Sequence, residues 1–194
     1  MLKTISLEKK LLLVAGTLSL LFIALSTSYF LYVRNNVIEQ RRCALEPRIK
    51  FIGSIITGYY QQYLDGELAL LDAQSLAIER IHQINKNNDN YIFVFTDHYI
   101  LLESINNSVL RYQNVKEIMD INGVKLYQLL HIEAVTRANG GYSRYYYYSN
   151  VNAIREEQEK ISYTQYFSPW GWIYGEGVYI NDVDASILNM LTSN

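Results

Sequence analysis

The stretch from Lys160 to Ala185, KISYTQYFSPWGWIYGEGVYINDVDA, carries the strongest structural signal in the chain. Residues 161–167 and 172–180 are rich in β-branched and aromatic side chains, which is typical of strands. Ser168 and Pro169 lie between these segments, and proline fixes a backbone angle that suits a tight turn. The stretch therefore predicts two antiparallel strands joined by a short turn.

Large and small residues alternate around this turn. Gly171 allows the chain to bend between Trp170 and Trp172, and we interpret both indoles as the core of the hairpin. Gly175 and Gly177 are two residues apart, so they face the same side of the second strand. A neighbouring group is expected to approach the strand closely there.

The sequence before the hairpin predicts long helices followed by further strands. Apolar residues recur at helical spacing from residue 34 to about 64, and Pro47 is expected to kink this helix or to start a new one. The other predicted elements are a helix over 68–84, strands over 91–96 and 99–104, a helix over 126–138, a strand over 142–149, a charged loop over 150–160 and an exit helix over 181–191. This order predicts an α+β fold, with long helices packed on one side of a five-stranded antiparallel sheet.

An apolar segment without charged residues, LLLVAGTLSLLFIALSTSYFLYV, occupies residues 11–33. As a helix it is about 34 Å long, which is enough to cross a hydrocarbon layer of about 30 Å. A cleaved signal peptide is the alternative, with Ala24-Leu25-Ser26 as its cleavage site. Because the apolar run continues to Val33, we expect an uncleaved transmembrane helix over 11–33 after a tail over 1–10.

The composition argues against a nucleic-acid partner and is rich in tyrosine. The net charge is -2, and no basic excess marks a nucleic-acid-binding protein. Tyrosine is abundant, with 18 residues, and its ring and hydroxyl suit sheets and small-ligand pockets. The single cysteine, Cys43, is interpreted as a free packed thiol, with a disulfide between two chains as the alternative.

No arrangement of residues indicates catalysis or metal binding. His82, His98 and His131 lie in separate elements without metal-ligand spacing. Asp120-Ile121-Asn122-Gly123 is similar to part of a calcium loop, but Leu129 stands where the loop needs a glutamate. We therefore expect no enzyme activity, no cofactor and no metal.

Three blocks in order resemble the single Cache domains of bacterial methyl-accepting chemotaxis proteins and sensor kinases. They are YYQQYLDGELALLDAQSLAIERI at 59–81, YIFVFT at 91–96 and the stretch over 160–185, with Asn-Gly-Gly at 139–141 before an aromatic strand. The resemblance implies a PAS-like Cache fold for an extracytoplasmic sensor domain over 34–184. It also implies a location at the bacterial inner membrane, a homodimer, and an exit helix over 185–194 that a second membrane span could follow.

The resemblance also implies a ligand site, because family members commonly bind small carboxylates. Tyr145 and Tyr147 fall on the family's aromatic pocket positions, Lys160 on its basic position and Tyr163 on the following aromatic position. A buried carboxylate needs a cation and several donors, which these residues could supply. The alternative is that the tyrosines only pack the sheet and Lys160 is a solvated loop charge; His98 is a weaker candidate, interpreted as a turn residue.

The chain departs from the family at positions that lie near the ligand in relatives, so its ligand differs or binding has been lost. Where the family often has Asp-Gly, His-Pro and Arg-Tyr, this chain has His98 and Tyr99, Ser104 and Ile105, and Asn85 and Lys86, respectively.

Two functions follow as hypotheses. The first is the small-molecule input domain of a membrane signal transducer. The second is a stand-alone, membrane-anchored ligand-binding or decoy protein without an output domain. An in-frame apolar span and a signalling domain after residue 194 would favour the first, and a stop codon there would favour the second.

Overall fold

The computed structural model describes residues 6–87, 92–105, 108–151, 154–181 and 187. The chain divides into two compact units, Met1–Glu39 and Gln40–Asn194. The helices are α1 (Leu7–Leu64), α2 (Leu70–Asn87) and α3 (Leu126–Thr136), with single 3-10 turns at Ser108–Leu110 and Ser168–Trp170; the strands are β1 (Phe93–Thr96), β2 (Leu101–Ser104), β3 (Gly141–Val151), β4 (Ile154–Phe167) and β5 (Trp172–Tyr179).

The strands form one sheet in the order β2-β1-β5-β4-β3, and each neighbouring pair is antiparallel. The last strand therefore lies at the centre, between the two hairpins β1-β2 and β3-β4. The predicted α+β class and five-stranded antiparallel sheet are confirmed.

The sheet buries side chains on both faces. We call the side that packs against α1 and α2 the helix face, and the side that packs against α3 the cavity face. The helix-face cluster contains Leu45, Ile49, Ile52, Ile56, Ala77, Ile81, Ile92, Val94, Tyr163, Trp172 and Tyr174. The cavity-face cluster contains Phe93, Phe95, Leu101, Val115, Leu126, Tyr127, Leu130, Ala134, Tyr145, Tyr147, Ile173 and Tyr179.

The tryptophan turn has the predicted form. A 3-10 turn over Ser168–Trp170 joins β4 to β5, and Gly171 follows it with a φ of 63°. Trp172 is 3% exposed within the helix-face cluster, and the ring centroids of Trp170 and Trp172 are 4.7 Å apart. Trp172 is thus a core residue, as interpreted, whereas Trp170 is half-buried and packs against that core.

The predicted charged loop over 150–160 is wrong. Residues 154–160 belong to β4, and Lys160 lies directly opposite Tyr145 of β3. Glutamate and lysine have weak intrinsic strand preference, but pairing with a neighbouring strand overrides that preference. A cross-strand ion pair between Arg144 and Glu159 adds to this pairing.

Pro47 lies inside α1, so no new helix starts there, although proline removes one backbone hydrogen bond; a kink at Pro47 stays a prediction. Apolar residues on both sides of Pro47, among them Leu45 and Ile49, are fully buried and keep the helix packed. Cys43 is free but exposed, so it is not the packed thiol that the sequence suggested.

By length and composition, α1 could cross a membrane, and its apolar window near the N-terminus is exposed. Of the predicted exit helix over 181–191 and the segment over 185–194, the structure describes only residues 181 and 187.

Candidate ligand-binding site

Three of the four predicted site residues come together on the cavity face. Tyr145 and Tyr147 are two residues apart on β3, so their side chains share one face. Lys160 of β4 lies opposite Tyr145 and faces the same side. All three line one cavity, and none is more than 9% exposed.

This cavity lies between the sheet and α3. Its volume is about 20 Å³. A water molecule needs roughly 10–15 Å³, so the cavity as it stands holds about one water. An organic acid would need its walls to move apart. The lining residues are Phe93, Ser104, Ile105, Leu126, Tyr127, Leu130, Tyr145, Tyr147 and Lys160.

Tyrosine hydroxyls give the cavity its polar character. The hydroxyls of Tyr127 and Tyr147 are 3.3 Å apart, and the Tyr145 hydroxyl is 2.7 Å from Oγ of Ser162. Burial is the main cause that raises the pKa of both Tyr127 and Tyr145. These groups therefore stay neutral and can donate hydrogen bonds to an acceptor.

Lys160 supplies the positive charge of the site. Its side chain is 3% exposed, and its Nζ lies 4.8 Å from the ring centroid of Tyr179 and 5.5 Å from that of Tyr147. The negative faces of aromatic rings stabilise an ammonium group, more strongly where water is excluded. Among the described residues that line the cavity, Lys160 is the cation and the tyrosine hydroxyls are hydrogen-bond donors.

Tyr163 lies apart from these three residues. It is 3% exposed but belongs to the helix-face cluster, and its hydroxyl donates to the backbone oxygen of Asn139. Residues three apart on a strand face opposite sides, so Tyr163 and Lys160 diverge. The structure thus brings Tyr145, Tyr147 and Lys160 together at the cavity and places Tyr163 on the other face of the sheet.

The positions at which the chain departs from the family lie in different parts of the structure. Ser104 and Ile105 line the cavity, as the resemblance implied. His98 lies in the turn with a side chain that is 90% exposed. Asn85 is fully buried, but it bonds to the backbone of Ile92 and to Glu103 instead of lining the cavity.

Sequence reasoning missed Tyr127 and Ser162. Tyr127 reaches the cavity from the first turn of α3, and no local pattern distinguishes it from a core residue of that helix. Ser162 could have been found, because it lies two residues after Lys160 and therefore on the same face.

Within the described residues, no group of three or more histidine, cysteine, aspartate or glutamate side chains could hold a metal ion. Asp120 is instead a structural residue. Its carboxylate accepts backbone hydrogen bonds from Asn122, Val124 and Tyr146 at 2.9–3.2 Å.

Long helices on one face of a five-stranded antiparallel sheet, with a polar cavity on the other, define a PAS-like sensor domain of the Cache type. The family model for single Cache domain 2 matches residues 37–193. The chain belongs to the single Cache domain 2 family.

Similar proteins are bacterial chemoreceptors. The methyl-accepting chemotaxis protein McpP of Pseudomonas putida is 22% identical over 190 residues, which cover 98% of this chain and 34% of McpP. The methyl-accepting chemotaxis protein CtpM of Pseudomonas aeruginosa is 26% identical over 159 residues, covering 81% of this chain and 27% of CtpM. The chain thus spans about a third or less of the length of these relatives.

Solved structures of sensor domains share the fold. A periplasmic sensor domain of a chemotaxis protein has a TM-score of 0.65 at 20% identity, covering 73% of this chain and 96% of that one. A Cache chemosensory domain described for its carboxylic acid recognition has a TM-score of 0.65 at 23% identity, covering 75% and 97%. The chain is therefore a Cache sensor domain, a class that senses ligands and is not catalytic in itself.

Proposed function

We propose that this chain is the extracytoplasmic input part of a membrane signal transducer and that it binds a small organic carboxylate. Residues 11–33 anchor it in the bacterial inner membrane, and residues 34–184 form the sensor, which acts as a homodimer. The ligand site consists of Tyr145, Tyr147 and Lys160, extended by Tyr127. Tyr163 supports the sheet from the other side.

The burial of Lys160 carries this proposal. A lysine side chain that is only 3% exposed is uncommon, because desolvating an ammonium group is costly. The aromatic rings near its ammonium group offset part of this cost. A carboxylate would suit this site, since it could lie near the ammonium group and accept hydrogen bonds from the neighbouring tyrosine hydroxyls.

Signalling requires that the ligand binds one conformation of the domain better than another. The small volume of the cavity supports such a difference, because binding and rearrangement of the walls would occur together. The carboxylic acid recognition of the structural neighbour and the chemotaxis function of the relatives support the ligand class and the pathway.

Thermal unfolding of the full chain in lipid nanodiscs tests the site. We expect at least one of formate, acetate, propionate and succinate to raise the Tm, because ligand binding stabilises the folded state. The matching primary amides should have no effect, since they lack the charge that Lys160 recognises.

Two variants serve as a matched pair in this experiment. Lys160→Met should abolish the shift. Lys125→Met, which removes a lysine paired with Glu117 on the surface, should retain it. An acid that stabilises Lys160→Met as well as the wild type would show that Lys160 is not the carboxylate-binding residue.

A further inference from the structure

A second cavity lies on the helix face of the sheet, and it is far larger than the one at Lys160. Its volume is about 510 Å³, against about 20 Å³ for the cavity on the other face, and the two share no lining residue. Small-molecule sites commonly have volumes of about 300–1,000 Å³, so this cavity has room for an organic ligand as it stands. We call it the tryptophan cavity, and its walls include Ser75, Glu79, Arg111, Tyr112, Trp170 and Trp172.

Aromatic rings line one side of the tryptophan cavity. The indoles of Trp170 and Trp172 pack together, with ring centroids 4.7 Å apart. Tyr112 adds a third ring, which is 68% exposed and stands on a backbone φ of 64°. A left-handed backbone is costly for a bulky residue, and such strain concentrates at binding sites. Aromatic rings around a cavity attract organic cations through their electron-rich faces.

The charged groups of the tryptophan cavity leave one carboxylate uncompensated. Arg111 is held in place, because its Nε donates to the backbone oxygen of Leu102 at 3.2 Å and its Nη2 lies 3.2 Å from Oε2 of Glu103. Glu103 is fully buried, so its charge compensates that of Arg111. Glu79 is exposed at the cavity and accepts a hydrogen bond from Gln83, but it forms no ion pair with another described residue. The cavity therefore favours a positively charged occupant.

We propose that the tryptophan cavity binds a small organic cation, an amine or a quaternary ammonium compound. Its charge lies near Glu79, and its apolar part packs against the aromatic rings. An organic anion fits less well, since Arg111 is already paired and Glu79 would repel it. This inference goes beyond the proposed function, because the site lies on the other face of the sheet and requires no carboxylate.

Tryptophan fluorescence reports on this site specifically, because the only two tryptophans of the chain, Trp170 and Trp172, both line it. The full chain in maltoside detergent micelles, which contain no ammonium group, is titrated with choline, tetramethylammonium and ethylamine. We expect a saturable change in emission with at least one of these cations. Dimethylbutanol, the uncharged carbon analogue of choline, should bind at least about tenfold more weakly than choline, since it lacks the charge.

Two variants with matched controls locate the bound cation. Glu79→Gln should weaken its binding roughly two- to fivefold, the range expected for an exposed and therefore screened ion pair. Glu67→Gln, which removes an exposed carboxylate outside the cavity lining, should leave the affinity unchanged. Ser75→Phe fills the cavity from an exposed position on α2 and should abolish the fluorescence response. Thr136→Phe, at an exposed position on α3, should retain it.

Three results would overturn the proposal. They are no change in emission with any of the three cations, an equal affinity for dimethylbutanol and choline, and an affinity that is unchanged in either Glu79→Gln or Ser75→Phe. Circular dichroism checks that each variant is folded. If Ser75→Phe does not fold, Glu79→Gln carries the test, because replacing an exposed glutamate by glutamine leaves the packing of α2 intact.

Discussion

The two faces of the sheet are both buried, but they differ in chemistry. The helix face packs the aliphatic side chains of α1 and α2 against Val94 and Trp172, and it includes no lysine among its buried residues in the described part of the chain. The cavity face carries Lys160 and the tyrosine hydroxyls around a small cavity. Two buried carboxylates, Glu103 and Glu176, also lie on the helix face, so that face is mainly but not wholly apolar.

This difference indicates that the two faces contribute differently to stability and to ligand binding. Apolar burial stabilises a fold at about 25 cal/mol per Å², whereas a buried charge and imperfect packing contribute little or even cost stability. We therefore expect the helix face to contribute most of the free energy of unfolding and the cavity face to contribute less, because its residues serve ligand binding.

The largest effect is expected from a truncation on the helix face. Ile81 of α2 is fully buried, so Ile81→Ala should lower the free energy of unfolding by about 2–5 kcal/mol. Leu76→Ala on the same helix is the control. Because Leu76 is 42% exposed, this truncation should lower the free energy of unfolding by no more than about 1 kcal/mol. Denaturant unfolding of the full chain in detergent micelles measures both values.

Ile81→Ala should leave the affinity for carboxylates unchanged under conditions in which the variant is folded. Equal destabilisation by Ile81→Ala and Leu76→Ala would contradict the view that the helix face provides most of the stability.

A smaller effect is expected where β5 passes beneath Lys160. A methyl group at Gly177 would collide with Ser162 Oγ and Lys160 Cε, so Gly177→Ala should destabilise the protein by about 1–3 kcal/mol. Because the mutation displaces Lys160, acetate binding in a calorimetric titration should weaken at least about tenfold, the equivalent of 1.4 kcal/mol.

Gly58→Ala is the matched control for this substitution. Gly58 lies in α1, and a Cβ atom there has no neighbouring heavy atom within 4 Å. Alanine is the better helix former, so this variant should gain up to about 1 kcal/mol of stability with unchanged binding. Wild-type affinity in Gly177→Ala would mean that the position of Lys160 does not determine binding.

The elements that can be predicted from the sequence are those whose signals lie close together along the chain. The tryptophan turn and α3 carry their signals within a few neighbouring residues, so they were predicted correctly. The strand β4 before Lys160 was not, because its charged residues resemble a loop until β3 pairs with them. That pairing is a tertiary contact which no local pattern contains.

The candidate site was predictable to a similar extent. Tyr145, Tyr147 and Lys160 came from the family resemblance, and the structure brings them together. Tyr163 came from the same resemblance, although the two-residue period of a strand already separates it from Lys160. The size of the cavity could not be predicted, because it depends on how α3 packs onto the sheet.

The smallest effect is expected from removing one hydroxyl on each face of the sheet. This pair of variants directly compares the two faces in ligand binding. Tyr145→Phe removes the hydroxyl that bonds to Ser162, and Tyr163→Phe removes the hydroxyl that donates to Asn139. Each deletion should cost about 0.5–1.5 kcal/mol of unfolding free energy, since each breaks one partly or fully buried hydrogen bond. Only Tyr145→Phe should weaken acetate binding, because only this hydroxyl lies at the cavity. Calorimetric titration of both variants and the wild type with acetate measures the difference. An equal loss of affinity in Tyr163→Phe would mean that Tyr163 also contributes to ligand binding, as the four-residue prediction has it.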